Sequence, residues 1–332
     1  MNVVITGGAG FLGSRLAREL LSAGSVEVAG QARAPLRRLT LVDSAPVPAD
    51  LAADPRVSAA QGDLAELLSD ESTARHAVAE ADVIFHLAAA VSAECEADFD
   101  LGIRANLRGT ESLLAACRRH GRVPVVVFAS SVAVFGASAD HPLPAAVDDQ
   151  TLPNPQSSYG TQKVMAEYLL ADYTRKGFVR GRAMRLMTVV VRPGRPNAAA
   201  SGFLSGLIRE PLAGLRATCP VVPETAAAVA SPVRTVAGLL AAAAASEDRW
   251  GGLSAMNMPA LTVTVADMVA ALERAAGPEA VALIDWVPDP RIAGIVSSWP
   301  ARFRSDRAAR LGLVPDRDFD SIVAMHLASL RA

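Results

Sequence analysis

Along the first half of the chain, short runs of β-branched and other apolar residues alternate with longer stretches whose apolar positions recur with a helical period. The short runs read as strands at Val3–Thr6, Leu39–Val42, Arg56–Gln61, Val83–Leu87, Val125–Ser130 and Met184–Val191. The longer ones read as helices at Leu12–Ala23, Leu64–Ala79, Phe99–Arg119 and Ser157–Lys176. Val125-Val126-Val127-Phe128 is apolar without alternation, as befits a strand covered on both faces. This order predicts an α/β fold, a Rossmann-type doubly wound parallel sheet with helices on both sides.

The regularity fades after Pro193, and from Gly194 to Pro232 glycine, proline and alanine dominate. That composition reads as loops and short helices of a smaller C-terminal substrate-binding lobe. Beyond it come a helix at Thr235–Ala245, a short strand at Ala255–Met258, a helix capped by Thr264 or Thr262, and helical pieces around Pro288, Pro300 and Pro315. The expected division is a first domain at 1–190, with a return segment near 232–250, and 191–332 mainly as the second lobe.

The 332 residues are enough to bury a large core, and their 51% apolar and 20% charged content is that of a folded chain. A net charge of -2 offers no basic excess for nucleic acid or a membrane surface. Cys95, Cys117 and Cys219 have no ligand spacing, so neither a disulfide framework nor a metal site is expected, and a reducing cytoplasm fits. The strand-like start argues against a signal peptide. Val236–Ala245 is the longest alanine-rich run; at ten residues it falls short of the roughly 17 that span a bilayer, and it reads as a buried helix.

The chemistry begins at the first strand–helix junction. Gly7-Gly8-Ala9-Gly10-Phe11-Leu12-Gly13 contains two overlapping dinucleotide patterns, Gly8/Gly10/Gly13 and Gly7/Gly10/Gly13. Glycine there permits a tight turn, lets a pyrophosphate approach the backbone, and seats the helix close to the sheet. The free amides of the helix N-terminus then face the phosphates. Asp43 ends the second strand, where a carboxylate accepts ribose hydroxyls and repels a 2′-phosphate; this favours NAD over NADP. Its long spacing from Gly13 leaves open a mere loop cap, unless Gln31–Arg38 is an insertion. Asp63 and Leu64 after the third strand, and Leu87, Ala88 and Ala89 after the fourth, belong to the same cleft, with Asp63 placed to meet the adenine amino group. His86 reads as a packed, hydrogen-bonded core residue.

Tyr159 and Lys163 stand one turn apart on a helix whose start signals are Asn154, Pro155 and Ser157 or Ser158. A free phenol has a pKa of about 10, and lowering it by about three units requires roughly 4 kcal/mol of differential stabilisation. An ammonium at Lys163 and a cationic nicotinamide are the groups expected to supply it. Ser130 and Ser131 lie just past the fifth strand, on the side where open parallel sheets bind ligands.

Together these segments resemble the extended short-chain dehydrogenase/reductase family, over about residues 1–194. The resemblance implies Ser131, Tyr159 and Lys163 as the catalytic set, with Ser130 structural. It also implies Asn106, in Asn-Leu-Arg-Gly-Thr, as a support for the lysine and its helix, and a homodimer formed through the helices of Asn106 and Tyr159. Nucleotide-sugar members carry Arg-x-x-Asn-Val-Tyr-Gly-Pro after the sixth strand, whereas here Thr188 replaces the asparagine and Val190 the tyrosine. The runs Arg192–Ser201, Ile208–Gly214 and Cys219–Val221, with Trp299-Pro300, resemble instead members that oxidise a small sugar acid at C2 with NAD. On that footing Arg192 is the expected carboxylate contact, and Ser92, Thr188 and Asn197 its polar partners.

Overall fold

The computed structural model describes residues 1–192 and 200–330. The first half follows the strand–helix alternation of the sequence. Strand β1 (Asn2–Thr6) runs into α1 (Phe11–Ala23), and β2 (Arg38–Asp43), β3 (Val57–Gln61) and β4 (Val83–His86) follow. Next come α2 (Ser92–Ala97), α3 (Gly109–His120), β5 (Val125–Ser131), α4 (Ser158–Arg175) and β6 (Arg180–Leu186). The later chain adds α5 (Gly202–Leu212), α6 (Pro232–Ala244), β7 (Met256–Asn257), α7 (Val265–Ala276) and α8 (Phe319–Ser329).

The seven strands form one parallel sheet in the order β3-β2-β1-β4-β5-β6-β7. Chain order reverses between β1 and β4, and the loops leaving those two strands diverge to open a crevice at their carboxyl ends. Val125 to Phe128 are at most 2% exposed, which is why the strand shows no polar alternation.

Three expected elements differ in detail. The helix expected over Leu64–Ala79 is broken at Asp70 into Leu64–Ser69 and Glu71–Val78. The one expected over Phe99–Arg119 contains a π-helical stretch at Ile103–Arg108 that holds Asn106. The run Met184–Val191 serves two sheets: Leu186 ends β6, while Thr188–Val189 pairs with Ala226–Ala230 in a separate three-stranded sheet. Val191 then takes φ +55°, which ends strand geometry outright. The Gln31–Arg38 region forms a small antiparallel bridge, Ser25–Val26 with Ala34–Pro35, lengthening the path to Asp43.

The alanine-rich run becomes α6. It is capped by Ser231 with Pro232 in its first turn, and lies against β5 and β6 in the first core. Fully buried Arg182 on β6 donates to the Ala242 carbonyl at 2.9 Å and to Ala245, satisfying the helix's last carbonyls. A second apolar core gathers Val190, Leu204, Leu207, Ile208, Met268, Leu272, Phe319 and Ile322 from α5, α7 and α8. Trp299, Phe303 and Leu311 pack back on the first core. Among the described residues no helix is long and apolar enough to cross a membrane.

Candidate active site

A cavity of about 440 Å³ opens at the reversal point of the sheet, with the glycine turn at one end and α5 at the other. Its turn is built by backbone contacts that exclude side chains. Gly7 sits at φ +73°, and a Cβ on it would come within 2.7 Å of the Ala88 amide nitrogen. A Cβ on Gly13 would lie 2.0 Å from the Gly7 carbonyl oxygen. No side chain caps α1 and no acidic residue occupies its first turn, so its free amides suit an anion. The cradle fits the pyrophosphate of a dinucleotide. Gly10, Phe11, Leu12, Gly13, Leu87 and Ala89 line the cavity, while Gly7 and Ala88 shape it from behind.

The carboxylates expected at the adenosine end are both engaged. Asp43 accepts the Ala9 and Gly10 amides at 2.9 and 3.2 Å and the Ala45 amide at 2.9 Å, fixing it beside the glycine turn. Asp63 caps the helix that begins at Leu64, accepting the Ala65 and Glu66 amides, and lies 3.8 Å from Arg104. Neither they nor Leu64 reach the cavity wall.

His86 is 1% exposed and bonded on both ring nitrogens, at 2.6 Å to Thr6 and 2.8 Å to Thr110. The Thr110 hydroxyl donates to the Asn106 carbonyl, so the ring must donate from Nε2 and accept at Nδ1. Burial and the charge of Lys163 hold the ring down at about 3, hence neutral. Asn106 exchanges hydrogen bonds with the backbone of Ala90 and donates to Gln162 at 2.7 Å. Its support thus reaches α4 through Gln162, the neighbour of Lys163, without touching the lysine.

Two glycines, unnoticed in the sequence, place α4. A Cβ on Gly160 would lie 2.0 Å from the Ala133 carbonyl oxygen, and one on Gly102 would lie 2.4 Å from Gln162. Glycine at 160 lets the first turn of α4 press on Val132–Val134, which brings Tyr159 beside Ser131. Ser131 accepts the Ala133 amide at 3.1 Å, and its hydroxyl favours the ionised form of the Tyr159 phenol. Ser130 turns the other way and donates to buried Glu167, which also holds Arg185 through contacts of 2.9 and 2.7 Å. That buried ion pair ties β5, α4 and β6 together beneath the cavity.

Lys163 is 2% exposed, donates to the Ala129 carbonyl at 2.9 Å, and lies 4.7 Å from the Phe128 ring and 5.6 Å from the Tyr159 ring. Burial pulls its ammonium down to about 8. The expected lowering of the phenol's pKa rests on Lys163 and a cationic nicotinamide together, and the protein groups alone do not supply it. Burial drives the Tyr159 phenol up to about 12, against the opposing pull of the Ser131 hydroxyl and the charge of Arg192. Desolvation of the phenol outweighs these favourable influences.

Ser92, Thr188 and Arg192 all line the far end. Ser92 is buried and accepts the Ala200 amide at 3.1 Å. Arg192 has no ion-pair partner among the described residues, and burial and neighbouring Arg209 hold its pKa below the ordinary arginine value. Asn197 lies outside the described residues. Ser205, Arg209 and Trp299 also line this end; Arg209 and Trp299 fall in runs that carry the family resemblance, but no spacing marks any of the three as facing the site.

A parallel sheet reversing beside a side-chain-free phosphate cradle, with a tyrosine–lysine helix across the crevice, defines a dinucleotide-dependent oxidoreductase fold. Residues 3–225 match the model of the NAD dependent epimerase/dehydratase family, and the chain belongs to that family. It is 48% identical to D-erythronate dehydrogenase of Cupriavidus necator over 98% of both chains. The enzyme of the same name from Haemophilus influenzae is 39% identical, over 97% of this chain and 98% of that one. A solved structure described as the nucleoside-diphosphate-sugar epimerase from Agrobacterium tumefaciens superposes with a TM-score of 0.88 at 40% identity, covering 99% of this chain and 94% of that one.

Proposed function

We propose that this chain oxidises the C2 hydroxyl of a sugar acid, D-erythronate to 2-dehydro-D-erythronate, with NAD as acceptor. The observation that carries the reading is Arg192: a half-buried arginine that lines the same cavity as Ser131, Tyr159 and Lys163 and has no ion-pair partner among the described residues. A carboxylate met by Arg192 and a hydroxyl met by Tyr159 are the two groups that a 2-hydroxy acid would present to this cavity. The near full-length similarity to two D-erythronate dehydrogenases supports the same substrate.

In this reading Ser131 holds the C2 oxygen while Tyr159 removes its proton, and Lys163 orients the cofactor ribose from the floor of the cavity. Bound NAD would supply the hydride acceptor for C2 and a positive charge near the phenol. That charge is needed, because the chain alone leaves the phenol at about 12. Asp43 selects NAD at the adenosine ribose, and the Gly7–Gly13 turn holds the pyrophosphate. Thr188 and Ser92 offer hydroxyls to the rest of the acid, with Asn197 as a further partner.

The A. tumefaciens structure favours a second reading, a nucleotide-sugar epimerase that recycles its cofactor. Purified protein with NAD and a panel of aldonates, uronates and uridine-linked sugars separates the two through NADH absorbance. Net NADH with the highest kcat/KM for D-erythronate is expected; conversion of a nucleotide sugar without net NADH would reverse the conclusion. A cytoplasmic homodimer accompanies the proposal. The outward stripe Met165 and Tyr168 on α4, with Phe99 beside it, is 43 to 62% exposed and suits a partner copy. A solution mass near twice 34.5 kDa is the check.

A further inference from the structure

The charged side chains that line the cavity among the described residues are Lys163, Arg192 and Arg209, and no carboxylate lines it. Lys163 is committed to the cofactor end through Ala129. Two guanidiniums thus share the far end. Arg209, on α5, donates to the Arg192 carbonyl at 2.8 Å and pairs with the adjacent carboxylate of Glu210, which stands behind the wall. His326 on α8 feels the same group: burial and Arg209's charge lower its pKa. With Glu210 offsetting one guanidinium, this end carries a net charge of one positive unit.

We propose that Arg209 and Glu210 form a charge-setting clamp behind Arg192, which fits the site to a single carboxylate and selects monoanionic sugar acids over dianions and diphosphates. Arg209 is a positioning residue in this scheme. It fixes the backbone of Arg192 through the carbonyl contact, and its fork is held by Glu210, so the free guanidinium of Arg192 meets the ligand in one orientation. A monoanion neutralises the site. A second negative charge would remain uncompensated in a low-dielectric wall, where it is costly. The proposal rests on the sugar-acid reading and adds the valence of the ligand to it.

The test uses the full-length protein saturated with NAD, with D-erythronate as substrate and tartrate as a dianionic competitor. Arg209→Ala is expected to raise KM for D-erythronate by about 10- to 100-fold, the range for losing a charge-assisted contact, with kcat nearly unchanged. Arg209→Lys keeps the charge but not the fork and recovers only part of that loss. Glu210→Gln raises the site's charge and is expected to tighten tartrate relative to D-erythronate by about tenfold. If Arg209→Ala does not fold, the two size-conserving variants carry the test. Unchanged KM in the Arg209 variants, or an unchanged tartrate-to-erythronate ratio in Glu210→Gln, overturns the clamp alone. A wild-type enzyme that oxidises no sugar acid overturns the reaction and the clamp with it.

Discussion

At the ends of β1 and β4 the cavity wall is largely backbone, Gly10 and Gly13 with Leu87 and Ala89, and a carbon added at Gly13, or at Gly7 behind it, would collide with neighbouring backbone. Where α5 faces Arg192 the wall is side chain, and its character comes from two guanidiniums, three serines, a threonine and an indole. The first end recognises a ligand by shape and amide direction, the second by charge. An end built of backbone tolerates no substitution but demands no particular charge; an end built of side chains can be retuned one residue at a time. Tyr159 stands where the two meet, and the largest expected effect lies there.

Tyr159→Phe removes the proton acceptor while leaving the ring that packs against Lys163. Turnover of D-erythronate should fall by about a thousandfold, within the usual range for losing a general base, with NAD affinity essentially unchanged by calorimetric titration. Near-normal turnover would show that the two ends meet at some other group.

Lys163 sharpens the contrast because it serves function against stability. Its ammonium is pulled from 10.5 to about 8. Below pH 8 the folded and unfolded chains are both protonated, and the folded one bears the whole cost of the buried charge. Between 8 and 10.5 the folded chain releases its proton first, so that cost fades as pH rises. The shift corresponds to about 3 kcal/mol, of which about 1 is returned by losing the bond to Ala129 when the lysine is replaced. Lys163→Met should therefore be inactive yet more stable by about 2 kcal/mol near pH 7, with the gain shrinking by roughly half or more near pH 9.5 in parallel urea melts. A variant less stable than wild type near pH 7 would mean that the lysine's contacts outweigh its burial.

How much could be read in advance follows the same division. β1, β2, β4 and β5 were legible because a doubly covered strand has no choice but continuous apolar residues, and the glycine turn because a Cβ there is sterically impossible. The Tyr159/Lys163 spacing announced a shared helical face. It could not announce that burial would beat the ammonium, since desolvation depends on what packs around the phenol. Met184–Val191 looked like one strand because an apolar run carries no mark of where it changes sheets. Arg209 was hidden for a plainer reason. Beside Glu210 on an ordinary helix it resembles a solvated pair, and only the fold turns it toward the cavity. Gly160 and Gly102 had a detectable signal, glycine inside helical stretches, whose meaning needed the neighbouring backbone.

The smallest expected effect lies at the cofactor end, at the one place where that end uses charge. Asp43 stands at the close of β2 with its carboxylate already accepting three backbone amides. Those bonds use part of its acceptor capacity and leave lone pairs for ribose hydroxyls. Asp43→Asn keeps the size and one acceptor oxygen but removes the charge that repels a 2′-phosphate. The kcat/KM ratio of NADP to NAD should rise by about tenfold, chiefly through tighter NADP binding, while the glycine turn holds. Steady-state kinetics with both cofactors at fixed D-erythronate measures it. If the ratio does not move, Asp43 serves only to brace the Ala9–Gly10 amides, and the cofactor end is backbone throughout.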